Sequence, residues 1–383
     1  MKNIPLSAVR LKNFKAIHDT ESLRLGPLTV FIGNNGSGKS SVIEALEMVK
    51  RLATDDLDTA LGAFRGFEHV RYKGVKKAAG AAPGVTQLKP GSISLTLRGH
   101  HNKRLFSATT AIGLRENNEI FFRRERVKRA ETVIRRQDAQ VTTEVPGKEP
   151  KVESLEGDTS ILRRHLSDVV DDWQFVRLNP DAMGSPKAIK QTGAKVRLSP
   201  DGANVAEYLL EMSRKAPDDF QDLFEALKFV LPYAKNFKVE LLSELERQAY
   251  LQIAEAKFNV PGWMLSTGTL RIAALMALFR HPSRPKVLFI EELENGLDPR
   301  TIGLIVEEIQ SAVLSGRQQV VVTTHSPYLL DLFPLDSIVM VEREHGSPTF
   351  WRPDDIEAIS KWKNKYAPGR MYSTGMFSRG SGG

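Results

Sequence analysis

LTVFIGNNGSGKSSVIEALEMVKRL, Leu28 to Leu52, is the most informative segment of this chain. The apolar run Leu28 to Ile32 leads into GNNGSGKS, Gly33 to Ser40, which satisfies G-x-x-x-x-G-K-[ST] in full. Val42, Ile43, Leu46 and Val49 then recur at helical spacing. Strand, glycine loop and helix in that order are what phosphate binding needs. Gly33, Gly36 and Gly38 let backbone N–H groups wrap a phosphate chain, and the helix N-terminus adds the positive end of its dipole. The spacing predicts a nucleoside triphosphate site lined by Gly33, Asn34, Asn35, Gly36, Ser37, Gly38 and Ser41. Lys39 would reach the β and γ phosphates, and Ser40 would hold Mg2+.

The rest of the chain bounds the setting. At 383 residues it has room for two or three domains, read as one ATPase core carrying an insertion. The expected division is an N-terminal lobe at 1–150, a helical insertion or lid at 151–258 and a C-terminal lobe at 259–383. There is no cysteine, which excludes disulfides and thiolate-bound zinc. The opening MKNIPLSAVRLKNFK lacks an apolar stretch of signal-peptide length. The longest apolar run, Ile272 to Phe279, is too short to span a bilayer, so a cytoplasmic protein without a membrane partner is expected. Net charge is +8 and the isoelectric point about 9.4. Part of that excess is local: Ile120 to Arg136 holds seven Arg or Lys against two Glu. A solvated strand face is the ordinary reading of such a run, and a polyanion such as DNA is the alternative.

Along the chain, residues 4 to 17 and 23 to 32 alternate as strands, and 54 to 90 reads as loop. Short β-branched runs between Ser92 and Val145 predict an antiparallel β lobe, in which His100, His101 and Asn102 mark a hairpin turn. Asp201 to Leu231 is helical by period. No heptads persist, so no long coiled coil is expected. From Val260, helices at 269–280 and 300–315 alternate with the continuous apolar runs KVLFIEE and QVVVTTH, the pattern of a parallel sheet covered on both faces.

VLFIEE, Val287 to Glu292, delivers two carboxylates to the C-terminal end of a strand, where ligands of open α/β sheets collect. Glu291 would bind Mg2+, and Glu292 would orient and polarise the attacking water. Upstream lies LSTGTLR, Leu265 to Arg271; downstream come ENGLDP, Glu294 to Pro299, and TTHSP with His325 ahead of a Ser326–Pro327 helix start.

In this order the set resembles the ABC-type ATPases, with Walker A, signature, Walker B, D-loop and switch histidine in register. VRLKNFKAI, the GTLR after the signature serine and IEELENGLDP resemble the RecF, SMC and OLD branch, and within it the compact stand-alone ATPases that include components of anti-phage systems. The resemblance covers roughly 1 to 50 and 260 to 345 and is weak between them. It implies an α/β ATPase head with a mostly parallel core sheet and an antiparallel β lobe. It also implies ATP and Mg2+ as cofactors and a homodimer or higher oligomer closing head to tail on nucleotide. Gly33 to Ser40, Glu291, Glu292 and His325 of one subunit would then face Ser266 and Gly268 of the other, with Asp298 at the seam. Lys15, in NFK, matches a nucleotide-contacting basic residue of relatives; a surface lysine beside a strand is the other reading. Three departures stand out: Glu291 where most ABC proteins have Asp, STGT for the signature, and Asn179 as the nearest candidate for the Q-loop. Some forty residues follow Glu344, so no built-in Toprim nuclease is expected; the activity that the resemblance implies is ATP hydrolysis. The expected role is a clamp or sensor for a separately encoded effector, with a RecF-like repair ATPase or an ATP-held scaffold as alternatives.

Overall fold

The computed structural model describes residues 4–74, 91–155, 157–190, 195–243, 247–344, 346–360, 362 and 365–377. The loop-like stretch at 75–90 and the tail from 378 lie outside them. The chain divides into one unit of residues 1–173, 335–365 and 377–383 and a second of residues 174–334 and 366–376.

In the first unit a nine-stranded antiparallel sheet runs as a meander from Ile93–His101 through Arg104–Leu114, Ile120–Arg129, Thr132–Gln137 and Gln140–Glu144 to Lys151–Ser154. Ala8–Phe14 pairs with Ile93–His101 and carries the short strands Ile17–Asp19 and Leu23–Arg24. The turn after His101 is a two-residue hairpin, as expected. Asn102 and Lys103 have φ 49° and 63°, the pair of left-handed residues that a twisted hairpin favours.

The strict alternation sorts this sheet into two faces. Val9, Leu11, Leu95, Leu97, Ala108, Val127, Ile134 and Val141 are buried. The phosphate-loop helix Lys39–Thr54 and the helix Ile161–His165 pack within the same unit, the first against Ala8–Phe14 and the second against Ile120–Arg129. The opposite face exposes Arg10, Arg98, Arg124, Arg126, Lys128 and Arg135. The basic run is therefore only partly a solvated face. Glu125 is fully buried and Arg136 is 4% exposed; the guanidinium reaches the carboxylate at 3.3 Å and the carbonyls of Thr159, Leu155 and Gly157. Burial pushes the Glu125 carboxyl upward, opposed by the Ser160 hydroxyl, the Ile161 N–H and Arg136. Arg129 is held by both oxygens of Asp168. Arg123 occupies the register shift opposite Ala111 and Ile112, which is why two exposed arginines follow one another.

The same unit holds the phosphate-loop strand Leu28–Ile32, buried throughout, parallel to Ile338–Glu344, which in turn pairs antiparallel with Ser347–Trp351.

The second unit is built on Val287–Ile290 and Gln319–Thr324, parallel and fully buried. The signature helix Thr267–Arg280 buries Thr269 to Phe279 without a break, as its apolar sequence predicts. It packs with Pro299–Leu314 and Pro217–Lys228. Its end is fixed by His281, fully buried and stacked on Tyr208 at 3.8 Å. Its ring nitrogens meet the Tyr208 carbonyl at 3.1 Å and the Ser283 N–H at 3.0 Å.

Residues 201–231 form two helices, Val205–Lys215 and Pro217–Lys228, broken where Pro217 starts the second. Beside them stands an antiparallel sheet of Lys187–Ala188, Asn236–Leu241, Gln248–Ala254 and Asn259–Pro261. This sheet is not among the expected elements, although QAYLQIA alternates buried and half-buried without exception. In the first unit, likewise, two short helices, Leu57–Gly62 and Phe67–Val70, interrupt the stretch expected as loop. No described helix exceeds the 16 residues of Lys39–Thr54 and Pro299–Leu314, and none is long and apolar enough to cross a membrane.

Candidate nucleotide-binding site

In the first unit the phosphate loop is shaped by three glycines with different tasks. A Cβ on Gly33 would lie 2.0 Å from the Val341 carbonyl oxygen, so only glycine lets the loop leave its strand there. Gly36 and Gly38 adopt φ 72° and 115°, conformations that L side chains disfavour. The Lys39 ammonium folds inward, donating to the Gly33 carbonyl at 2.6 Å and the Asn34 carbonyl at 3.0 Å, and is 7% exposed. Ser37 Oγ is buried with no hydrogen-bond partner among the described residues. Asn34, Asn35, Gly36 and Ser40 are exposed. A glycine cradle, a folded lysine and an orphaned hydroxyl at a helix N-terminus fit a triphosphate. Lys15, at φ 48°, pairs with Glu44 of the phosphate-loop helix at 2.6 Å, so it stands beside this loop with its charge already partnered.

In the second unit the acidic and histidine groups converge at the C-terminal ends of two parallel strands. Glu292 is exposed and adopts φ 50°, unusual for a residue with a Cβ. Its backbone is gripped from three sides. The Glu292 N–H donates to Thr323 Oγ1 at 3.0 Å, and the Glu292 carbonyl accepts from Arg271 at 3.2 Å and from the Asn295 N–H at 3.0 Å. His325, on the neighbouring strand end, has its own N–H bound by the Glu294 carboxylate at 2.8 Å. Glu291, with a side chain 10% exposed, is paired with Arg177. Ser40 in the first unit and Glu291 in the second each carry a hard oxygen donor of the kind that Mg2+ takes. No cluster of three or more His, Cys, Asp or Glu able to hold a metal unaided occurs among the described residues.

Ser266 is the N-cap of the signature helix: its hydroxyl accepts the Thr269 N–H at 3.1 Å and lies 2.7 Å from the Thr269 hydroxyl. Gly268 lets that helix approach the ENGLDP loop, since a Cβ there would sit 2.9 Å from the Gly296 carbonyl. Asp298 caps Pro299–Leu314 by accepting from the Arg300 and Thr301 N–H groups, and the Thr301 hydroxyl leads in holding its pKa below the usual carboxylate range. Ser326 caps the short helix Pro327–Asp331 as expected. Asn179 is likewise a cap, accepting the Asp181 N–H at 3.2 Å. Arg177, two residues before it, is the side chain that reaches Glu291.

Four participants carry no role that the sequence pattern assigns, although three of them stand within quoted stretches. Arg177, Arg271, Thr323 and Glu294 each act through a bond to a chain segment distant in sequence. Arg271 is 4% exposed and joins the signature helix to the Leu178 carbonyl at 2.8 Å and to Glu292. Its place in GTLR, like those of Glu294 in ENGLDP and Thr323 in TTHSP, was the available signal.

The chain is similar in fold to SMC heads. A crystal structure of the SmcHead bound to the C-winged helix domain of ScpA matches with TM-score 0.55 over 90% of this chain and 97% of that one, at 13% identity. The Smc head with an extended coiled coil, bound to the C-terminal domain of ScpA and derived from Pyrococcus furiosus, matches with TM-score 0.51 over 94% and 99%, at 12% identity. These likenesses show that the chain has the fold of such a head. No curated protein matches the chain. The family described as "AAA domain, putative AbiEii toxin, Type IV TA system" matches residues 28–331, a span that takes in the phosphate loop, both carboxylates and His325; the chain belongs to that family.

Proposed function

We propose that this chain binds and hydrolyses ATP with Mg2+ as a nucleotide-gated dimer whose closure controls a separately encoded effector in genome or anti-phage defence. Glu292 is the observation that carries hydrolysis. Holding a residue with a Cβ in the left-handed region costs on the order of 1–2 kcal/mol. Three hydrogen bonds maintain that conformation at a strand end where orientation of a carboxylate would matter. When bound, Mg2+ neutralises charge on the phosphates. The chain's own groups do the rest. The N–H groups of Gly33 to Ser41 and the Lys39 ammonium bind the phosphates, displacing Lys39 from the loop carbonyls it now meets. Ser40 and Glu291 offer oxygen ligands. Glu292 orients water and takes its proton, with His325 beside the terminal phosphate. Ser266, Gly268 and the helix N-terminus of a second copy close the site, with Asp298 at the seam.

The dimer is supported by Trp263 and Met264, large apolar side chains 52% and 69% exposed and separated from Ser266 by Leu265 alone, where a second copy would cover them. The family description as a toxin of a toxin–antitoxin system supports the setting in defence. The SMC heads bound to ScpA domains are a precedent for a head with a separate protein partner.

Native mass of the Glu292→Gln protein with and without Mg·ATP tests the gating. A doubling on ATP is expected, and an unchanged mass with nucleotide bound would count against it. A RecF-like ATPase acting on DNA is the second reading, favoured by the exposed face carrying Arg10, Arg98, Arg124, Arg126, Lys128 and Arg135. Replacing Arg124, Arg126 and Lys128 by Ala should flatten the salt dependence of DNA binding by about 0.9 in log–log slope for each phosphate the face then leaves unneutralised. An unchanged slope leaves that face merely solvated.

A further inference from the structure

We infer that Glu294 is the positioning residue of the histidine switch: its carboxylate, by accepting the main-chain N–H of His325, holds that histidine in register with the catalytic Glu292. The inference rests on the hydrolytic reading above. After the strand Val287–Ile290 the chain doubles across the end of Gln319–Thr324, and successive residues grip it. The Glu292 N–H meets Thr323 Oγ1 at 3.0 Å, and the Leu293 N–H meets the Thr323 carbonyl at 3.3 Å. Glu294 Oε1 then reaches past Thr323 to the His325 N–H at 2.8 Å. Only this last bond acts on the histidine itself.

Two distances decide which part of the histidine is held. Its ring nitrogen Nε2 lies 3.7 Å from the same oxygen, beyond hydrogen-bond reach, so the main-chain bond is the tie. The Glu294 side chain is 14% exposed, which shields that charge-assisted bond from water. The other oxygen, Oε2, is buried and has no hydrogen-bond partner among the described residues. A neutral amide keeps the accepting oxygen but loses the charge assistance and leaves its NH2 buried without an acceptor among the described residues, so it holds the tie more weakly than the carboxylate and more firmly than no side chain. Arg271, the charged neighbour, donates to the carbonyls of Leu178 and Glu292. Loss of the tie would free the histidine main chain and slow the chemical step, leaving the phosphate loop to bind nucleotide as before.

Steady-state ATP hydrolysis and amide hydrogen exchange of the peptide carrying His325, both on the full chain and the second without nucleotide, test this. Glu294→Ala should lower kcat about tenfold or more with KM kept within about twofold, and should speed exchange at His325 about tenfold or more. Glu294→Gln should fall between the parent and the Ala variant in both. Should Glu294→Ala fail to fold, Glu294→Asp, one methylene too short to reach, carries the same expectation. Parent-like behaviour of the Ala or Asp variant overturns the inference, and so does a Gln variant as impaired as Ala, because charge and not the tie would then matter. A parent protein that binds ATP without hydrolysing it would overturn the hydrolytic reading instead, and the exchange comparison would still decide the tie.

Discussion

In the phosphate loop, position is set by backbone; in the carboxylate and histidine region it is set by side chains. Gly33 is required because the Val341 carbonyl leaves no room for a Cβ, and Gly36 and Gly38 because their φ values are left-handed. Around Glu292 the work falls to a threonine hydroxyl and an arginine reaching from other segments, and to a second glutamate that reaches across to His325. A backbone-defined site leaves its signature in consecutive letters. A side-chain-defined site leaves only the functional groups visible and hides what aims them.

The largest effect should come from breaking the backbone side of this comparison. Gly33→Ala forces a Cβ to within 2.0 Å of the Val341 oxygen, and backbone cannot yield as a flexible side chain can. Overpacking of this kind costs about 1–3 kcal/mol or more. Nucleotide binding, read by fluorescence of a labelled ATP analogue, should be lost, with the unfolding midpoint lowered. An alanine variant that binds normally would mean the loop is adjustable and the contrast between the regions is false.

Two buried titratable groups, one in each unit, sharpen the comparison, because their shifts have opposite signs. In the first unit burial raises the Glu125 carboxyl, so the folded state holds the proton more tightly and stability falls as pH rises through its titration. In the second, burial lowers His281 from 6.5 to about 4. The unfolded chain then binds more protons than the folded one between those values, so stability drops as pH falls from 6.5 toward 4. The whole shift corresponds to at most about 3 kcal/mol. Denaturant midpoints at about pH 7 and about pH 5 should differ in that direction, and His281→Gln should flatten the difference. A variant with the parent's pH slope would place the acid sensitivity elsewhere.

What could be read from the letters follows the same physics. The phosphate loop, the signature helix and the paired carboxylates were legible because each is a local pattern: glycines at fixed spacing, an unbroken apolar run, two acids at a strand end. The antiparallel lobe was legible from alternation. The inward turn of Glu125 and Arg136 was not, because a charged run looks the same whether or not two of its members pair beneath the sheet. Arg177 on Glu291 and Glu294 on His325 were hidden for another reason. Each bond joins residues far apart in sequence, 114 and 31 positions respectively, and no spacing rule links them.

The smallest effect on stability, and the finest test of the side-chain region, is Thr323→Val. The side chain is 1% exposed and valine has nearly its shape, so the change removes one hydroxyl and little else. That hydroxyl accepts the Glu292 N–H, and a hydrogen bond of this kind contributes about 0.5–1.5 kcal/mol. The left-handed conformation it supports costs on the order of 1–2 kcal/mol. The two are comparable, so removing the bond should let Glu292 relax toward other conformers without unfolding the protein. The unfolding free energy should fall by about 1 kcal/mol and kcat by about tenfold, with ATP affinity unchanged, since nothing in the phosphate loop is touched. A variant with reduced stability and full kcat would break the link between the backbone conformation of Glu292 and its chemistry, leaving the φ of 50° as a feature of the turn alone.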